Sequence, residues 1–214
     1  DNIEKLKRFG YEIITPATGM LANGDMGDGR MPEESVLFEA IVKEIAYKKD
    51  FAGKKVLISA GATREPIDPV RFITNHSSGK MGYAIAEELA KRGAEVKLIS
   101  GRTTLPTPRG VERVDVLSAA DMYEAAVEAW READGAVMCA AVADYTPAVV
   151  ADKKLKKSDD DLRIELVRTK DIAAELGKTK EGRTLVGFAL ETDNEEANAE
   201  GKLERKNFDF VVLN

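Results

Sequence analysis

The chain has 214 residues, 43% hydrophobic and 33% charged, enough to bury a core and remain soluble. A net charge of −6 argues against a general nucleic-acid binder, and a single cysteine and single histidine exclude an internal disulfide, a cysteine-rich zinc site and a histidine-rich metal centre. No apolar run approaches the ~20 residues that span a bilayer and the first residues fit neither a signal nor a transit peptide, so a cytoplasmic protein without a membrane partner is expected.

In chain order, residues 1–35 stand apart. Gly19, Gly24, Gly27 and Gly29 crowd the stretch Gly19–Met31, which reads as loop. A short helix follows, with Val36, Ile41, Val42 and Ile45 on one apolar face. From Lys54 the pattern alternates. Val56–Ala60 reads as a buried strand ending at Gly61, and after a long loop Gly79–Arg92 reads as a helix stopped by Gly93. Strand Glu95–Ser100, strand Val111–Val116, helix Ala119–Glu132 and strand Gly135–Ala140 come next. Then follow strand Arg163–Val167, helix Ile172–Leu176, strand Thr184–Leu190, helix Glu195–Lys206 and strand Phe208–Leu213. Such alternation predicts an α/β, Rossmann-like fold, with a largely parallel sheet and helices on both faces. The chain stops directly after a strand, so further C-terminal residues are expected.

In an open parallel sheet, ligands bind beyond the carboxyl ends of the strands. The segment Gly61–Gly82 lies there and is far longer than the two to six residues of an ordinary βα connection. It ends in Asn75-His-Ser-Ser-Gly79, small polar residues opening a helix, where free backbone N–H groups favour an anion. An ordinary helix cap is the bland alternative; the length of the loop, with Arg64, Arg71 and Lys80, tips the balance to phosphate. A second segment, Ala140-Ala-Val-Ala-Asp144, has small residues that admit a ligand, and Asp144 either meets that ligand or its magnesium, or merely caps a turn. A third, Asp152-Lys-Lys-Leu-Lys-Lys157, is either a solvated face or a flap over a triphosphate. Lys202 and Lys206 share a helix face, with pairing to nearby glutamates as the alternative. His76 reads as a hydrogen-bond partner and Cys139 as core. Neither Gly-x-Gly-x-x-Gly nor a Walker lysine loop is present, which counts against a nicotinamide-dependent reductase and a P-loop kinase. A non-catalytic assembly module is the remaining rival.

Five segments in order resemble one family, the bacterial phosphopantothenoylcysteine synthetases. They are Ser59–Gly82, Ala140–Asp144, Lys154-Leu-Lys-Lys157, Val186-Gly-Phe-Ala-Leu-Glu-Thr192 and Arg205-Lys-Asn-Phe-Asp209. The first is highly specific; the others gain weight as a set. The resemblance covers about residues 54–214 and implies a ligase domain at 36–214. Residues 1–35 resemble the tail of a flavin-dependent decarboxylase often fused upstream, with Asn23 where that family has a catalytic cysteine. No decarboxylase activity and no flavin are therefore expected of this chain.

The resemblance implies CTP-dependent joining of L-cysteine to 4'-phosphopantothenate through an acyl-cytidylate, with Mg²⁺ accompanying CTP, in a homodimer. It gives catalytic roles to Asn75 and Lys154. CTP contacts fall on Asp144, Lys154, Lys157, Asp171, Ile172, Ala173, Phe188, Lys202 and Lys206. Phosphopantothenate contacts fall on Arg71, Asn75, Ser77, Ser78, Gly79 and Ala141.

Overall fold

The chain divides between Lys48 and Lys49 into two units, and the computed structural model describes residues 2–157, 161–190 and 193–213. The N-terminal unit holds α1 (Asn2–Arg8), β1 (Ala17–Met20), β2 (Met26–Arg30) and α2 (Glu34–Ala46). The glycine-rich stretch expected as loop instead forms an antiparallel hairpin, with Thr18 opposite Asp28 and Met20 opposite Met26. Its turn overrides the poor strand propensity of glycine. Leu21 N donates to Asp25 O at 2.8 Å, Gly24 takes a positive φ of 85°, and the Asn23 amide donates to the Asp25 carboxylate at 2.8 Å. On α2 the buried residue is Ala40, while Ile41 and Ile45 of the expected apolar face are exposed. That helix falls with the N-terminal unit, so the division comes later than the 35/36 boundary read from the sequence.

The second unit runs β3 (Lys55–Ala60), β4 (Arg64–Pro66), β5 (Phe72–Thr74), α3 (Lys80–Lys91), β6 (Glu95–Ser100), β7 (Val111–Asp115) and α4 (Ala119–Trp130). It continues with β8 (Gly135–Met138), β9 (Tyr145–Pro147), β10 (Leu166–Arg168), α5 (Ile172–Lys178), β11 (Thr184–Ala189), α6 (Glu195–Arg205) and β12 (Phe210–Leu213). Six strands form one wholly parallel sheet in the order β12-β11-β8-β3-β6-β7. The α/β, Rossmann-like expectation is borne out.

Side-chain alternation explains the two covered faces. On β3, Val56 and Ile58 join Tyr83, Ala86 and Ala90 of α3, whereas Leu57 joins Met122, Ala126 and Trp130 of α4 and Leu176 of α5. Burial of each large apolar side chain contributes roughly 1.5–3 kcal/mol. Trp130 is core: its indole N–H donates to Thr179 Oγ1 at 3.2 Å and Arg183 stacks on its ring.

Two departures lie outside the main sheet. The segment expected as strand Arg163–Val167 yields only β10, paired antiparallel to β9 in a separate ribbon. Arg163 and Glu165 interrupt it, and all three residues of β10 are exposed, too polar a run for a strand buried on both faces. The long segment after β3 also contains its own ribbon, β4 with β5.

Candidate functional site

The chain climbs β3, β6 and β7 in one direction across the sheet, then returns to start β8, β11 and β12 on the other side of β3. The reversal between β3 and β8 leaves a crevice at their carboxyl ends, the place where such sheets bind ligands. A cleft of about 1070 Å³ opens there. That is the upper end of the roughly 300–1,000 Å³ usual for small-molecule sites, so two ligands have room side by side.

One wall is the segment after β3. Gly79, at φ +80°, starts α3 without a side-chain cap, and a Cβ on Gly82 would lie 2.6 Å from the Ala60 Cβ. Glycine at both positions lets the helix start press against the strand end. Ser77 Oγ and Ser78 Oγ accept from Gly79 N and Lys80 N, each at 3.4 Å, so the hydroxyls shape the turn here. Asn75 Nδ2 donates to Ala141 O at 3.3 Å.

The opposite wall follows β8. Ala141 N donates to Gly61 O at 2.8 Å, and Ala143 N donates to the Oγ1 of wholly buried Thr63 at 3.0 Å. Thr169 then ties the next segment in: its hydroxyl donates to Ala143 O at 2.6 Å and its N–H to Asp144 O at 3.0 Å. Asp144 is exposed at the cleft edge. Cys139 also lines the cleft, and burial pushes its thiol pKa up, which suits an inert wall better than a nucleophile.

The far side comes from α5, β11 and α6. Asp171 caps α5 by accepting from Ala174 N at 3.0 Å, and its other oxygen pairs with Lys206 Nζ at 3.1 Å. Lys202, Phe188, Ile172 and Ala173 complete that side. Lys170 sits 4.6 Å from the centre of the Tyr123 ring.

Of the residues expected from sequence, the cleft gathers Asn75, Ser77, Ser78, Gly79, Ala141, Asp144, Asp171, Ile172, Ala173, Phe188, Lys202 and Lys206. Lys154 and Lys157 do not line it; they are exposed on a segment without regular secondary structure. Arg71 does not line it either. Its guanidinium is taken up by the buried carboxylate of Asp68, at 2.6 Å. Arg64 lies over the Phe72 ring. Glu191 and Thr192, the end of the fourth motif, lie outside the described residues. Missed by the sequence reading are Arg168 and Lys170, which flank Thr169 just before α5 and line the cleft. An Arg-Thr-Lys run before a helix-capping aspartate was the available signal. With Lys80, Lys202 and Lys206 they make five lining cations against the carboxylates of Asp144 and Asp171, a positive site on an acidic protein.

Among the described residues, no group of three His, Cys, Asp or Glu side chains could hold a metal ion, and no helix is long and apolar enough to cross a membrane.

Residues 51–214 match the family model described as the DNA/pantothenate metabolism flavoprotein C-terminal domain. The whole chain is 50% identical to a protein named cysteine/cysteine sulfinic acid decarboxylase, from an unknown prokaryotic organism, covering 61% of it. It is 48% identical to the coenzyme A biosynthesis bifunctional protein CoaBC of Haemophilus influenzae, covering all of this chain and 54% of that protein. The crystal structure of the C-terminal domain of a CoaBC protein superposes with a TM-score of 0.69 at 49% identity, over 77% of this chain and 78% of that one. The chain thus spans little more than half the length of these curated relatives. The resemblance carried by the five motifs is borne out.

Proposed function

The chain belongs to the family of the DNA/pantothenate metabolism flavoprotein C-terminal domain, and from that premise we propose that it joins L-cysteine to 4'-phosphopantothenate at the expense of CTP. The observation that carries this reading is the pairing, in one cleft, of the Asn75–Gly79 helix start and its Lys80 with four cations on the other walls. A ligase of this kind must hold two phosphorylated reactants together, and the cleft has the charge and the room.

In the first step the phosphopantothenate carboxylate attacks the α-phosphorus of CTP, and pyrophosphate leaves. Protein cations hold the phosphates in line and spread the developing charge; to this task we assign Lys202, Lys206, Lys170 and Arg168, which line the cleft, together with Lys154. In the second step the cysteine amine attacks the acyl carbon and CMP leaves. Asn75, an amide donor on the wall beside Ala141, is the group for the oxyanion that forms. Phe188 and Asp144, both lining the cleft, are assigned to the nucleoside, and Ser77 to Gly79 to the phosphate of the acid.

Magnesium prefers phosphate oxygens, waters and one or two carboxylates. The residues present fit that habit through Asp144, exposed at the cleft edge, and no protein cage is needed; both Asp171 oxygens are engaged. A bound ion would neutralise triphosphate charge, held by Asp144. A homodimer in which a second copy completes the site belongs to the same reading.

The test is incubation with phosphopantothenate, cysteine, Mg²⁺ and each nucleoside triphosphate, with mass detection of products. Phosphopantothenoylcysteine and CMP in equal amounts are expected. Product formed equally from every triphosphate would reject the CTP assignment, and none from any would reject the ligase.

A further inference from the structure

Asp68 lies in the turn between β4 and β5, away from the cleft, yet its side chain is completely buried. Burying a carboxylate costs several kcal/mol unless its lone pairs are met, so its partners show what it is for. One oxygen accepts from Val70 N and Arg71 N, both at 2.8 Å, and these bonds shape its own turn. The other accepts from Arg71 Nε at 3.0 Å, Arg71 Nη2 at 2.6 Å and, 87 residues along the chain, Leu155 N at 3.1 Å. Arg71 Nη2 also donates to Leu155 O at 2.9 Å. Both backbone groups of Leu155 are thus caught by one ion pair. A second tie lies just upstream, where Ala151 N donates to Ile67 O at 3.0 Å. Those hydrogen bonds, Arg71's first, hold the Asp68 pKa well below the ordinary carboxylate range, so the anchor is charged at any working pH.

The anchored segment is the lysine run. Lys153 and Lys154 fall between the two ties, Lys156 and Lys157 directly after the one at Leu155, and all four side chains are exposed. The segment has no regular secondary structure of its own to fix its path. We propose that Asp68, with Arg71, is a positioning pair: it fixes the backbone from which Lys154 reaches the nucleotide phosphates. This rests on the ligase reading above. A lysine on an untethered loop must be ordered at each turnover, and a tether at the next residue removes most of that cost. It also gives Arg71 a place in the mechanism that does not require it to touch substrate.

Asp68→Asn keeps the shape and removes the charge that Leu155 N and Arg71 share. Leu155→Pro leaves the ion pair intact and removes the N–H on the lysine segment, although it also restricts the backbone of Lys154, so it carries the test if Asp68→Asn fails to fold. Either should lower pyrophosphate release per unit CTP by about tenfold or more, the factor attached to one lost charge-assisted hydrogen bond, with the KM for cysteine unchanged. In a Lys154→Gln background, itself expected to lose the activation step, Asp68→Asn should add nothing further. Trypsin should cut after Lys156 faster in either variant than in wild type, a readout independent of turnover. Losses that multiply in the double variant, or equal cleavage rates, would overturn the positioning role while leaving the ligase reading intact. A wild-type protein that releases no pyrophosphate, with cleavage differing as expected, would overturn the ligase reading and Asp68's place in it but not the anchor.

Discussion

Asn75 is the residue on which the second chemical step turns. Its Nδ2 donates to Ala141 O, which orients the amide along the cleft wall. Replacing it with aspartate keeps the size but substitutes an acceptor, which repels both Ala141 O and a developing oxyanion. Asn75→Asp should still release pyrophosphate while peptide formation falls roughly 100–1,000-fold, the usual cost of one oxyanion donor. Rapid quench with mass detection should find the acyl-cytidylate accumulating, and wild-type product yield would refute the role. At this scale the sequence was informative where residue type alone dictates use. Small residues and an amide at a helix start can be read as a ligand wall. Arg71 could not be read this way, because its occupation depends on a carboxylate three residues back that only the fold buries. Lys170 was missed for the converse reason: nothing in the sequence shows that β10 leaves the main sheet and delivers it to the cleft.

Elements differ in how much local chemistry decides them. Helix α4 is specified at its first turn by a capping box: Asp121 N donates to Ser118 Oγ at 3.1 Å and Ser118 N to the Asp121 carboxylate at 2.9 Å. The Ser118 backbone bond comes first among the causes that lower the Asp121 pKa. A carboxylate whose folded pKa is depressed stabilises the fold above its unfolded pKa and loses that contribution as pH falls through the folded one. Asp121→Asn should therefore lower the urea midpoint at about pH 7, by an amount worth on the order of 1 kcal/mol, and the gap should be smaller at about pH 3, below the ordinary carboxylate value. A gap of equal size at both pH values would contradict the assignment. The same local signals made the strands β3, β6 and β11 and the helices α3 and α4 legible from apolar spacing. The β1–β2 hairpin was not, since its stability comes from the turn at Asn23–Asp25 and outweighs four glycines that signal loop.

For the whole molecule, order along the sheet explains how an acidic chain presents a basic site. The sequence suggests alternating strands and helices, and from that a switch point, but not which strands flank it. The structure puts it between β3 and β8, so segments 80 residues apart in sequence share hydrogen bonds, as Thr63 and Ala143 do. Cations from α3, α6 and the approach to α5 then converge, while at the opposite, amino end of the strands Lys55 and Lys97 are paired with Glu132 and Glu112 beside Glu95, leaving no positive excess. That polarity directs the nucleotide to the carboxyl end of the sheet. The most direct measurement is an amide chemical-shift titration of the intact chain with CTP and Mg²⁺. Shifts should concentrate on Ser77–Met81, Ala141–Asp144 and Lys170–Ala173; shifts confined to Lys55, Glu95, Lys97 and Glu112, or none at all, would contradict it.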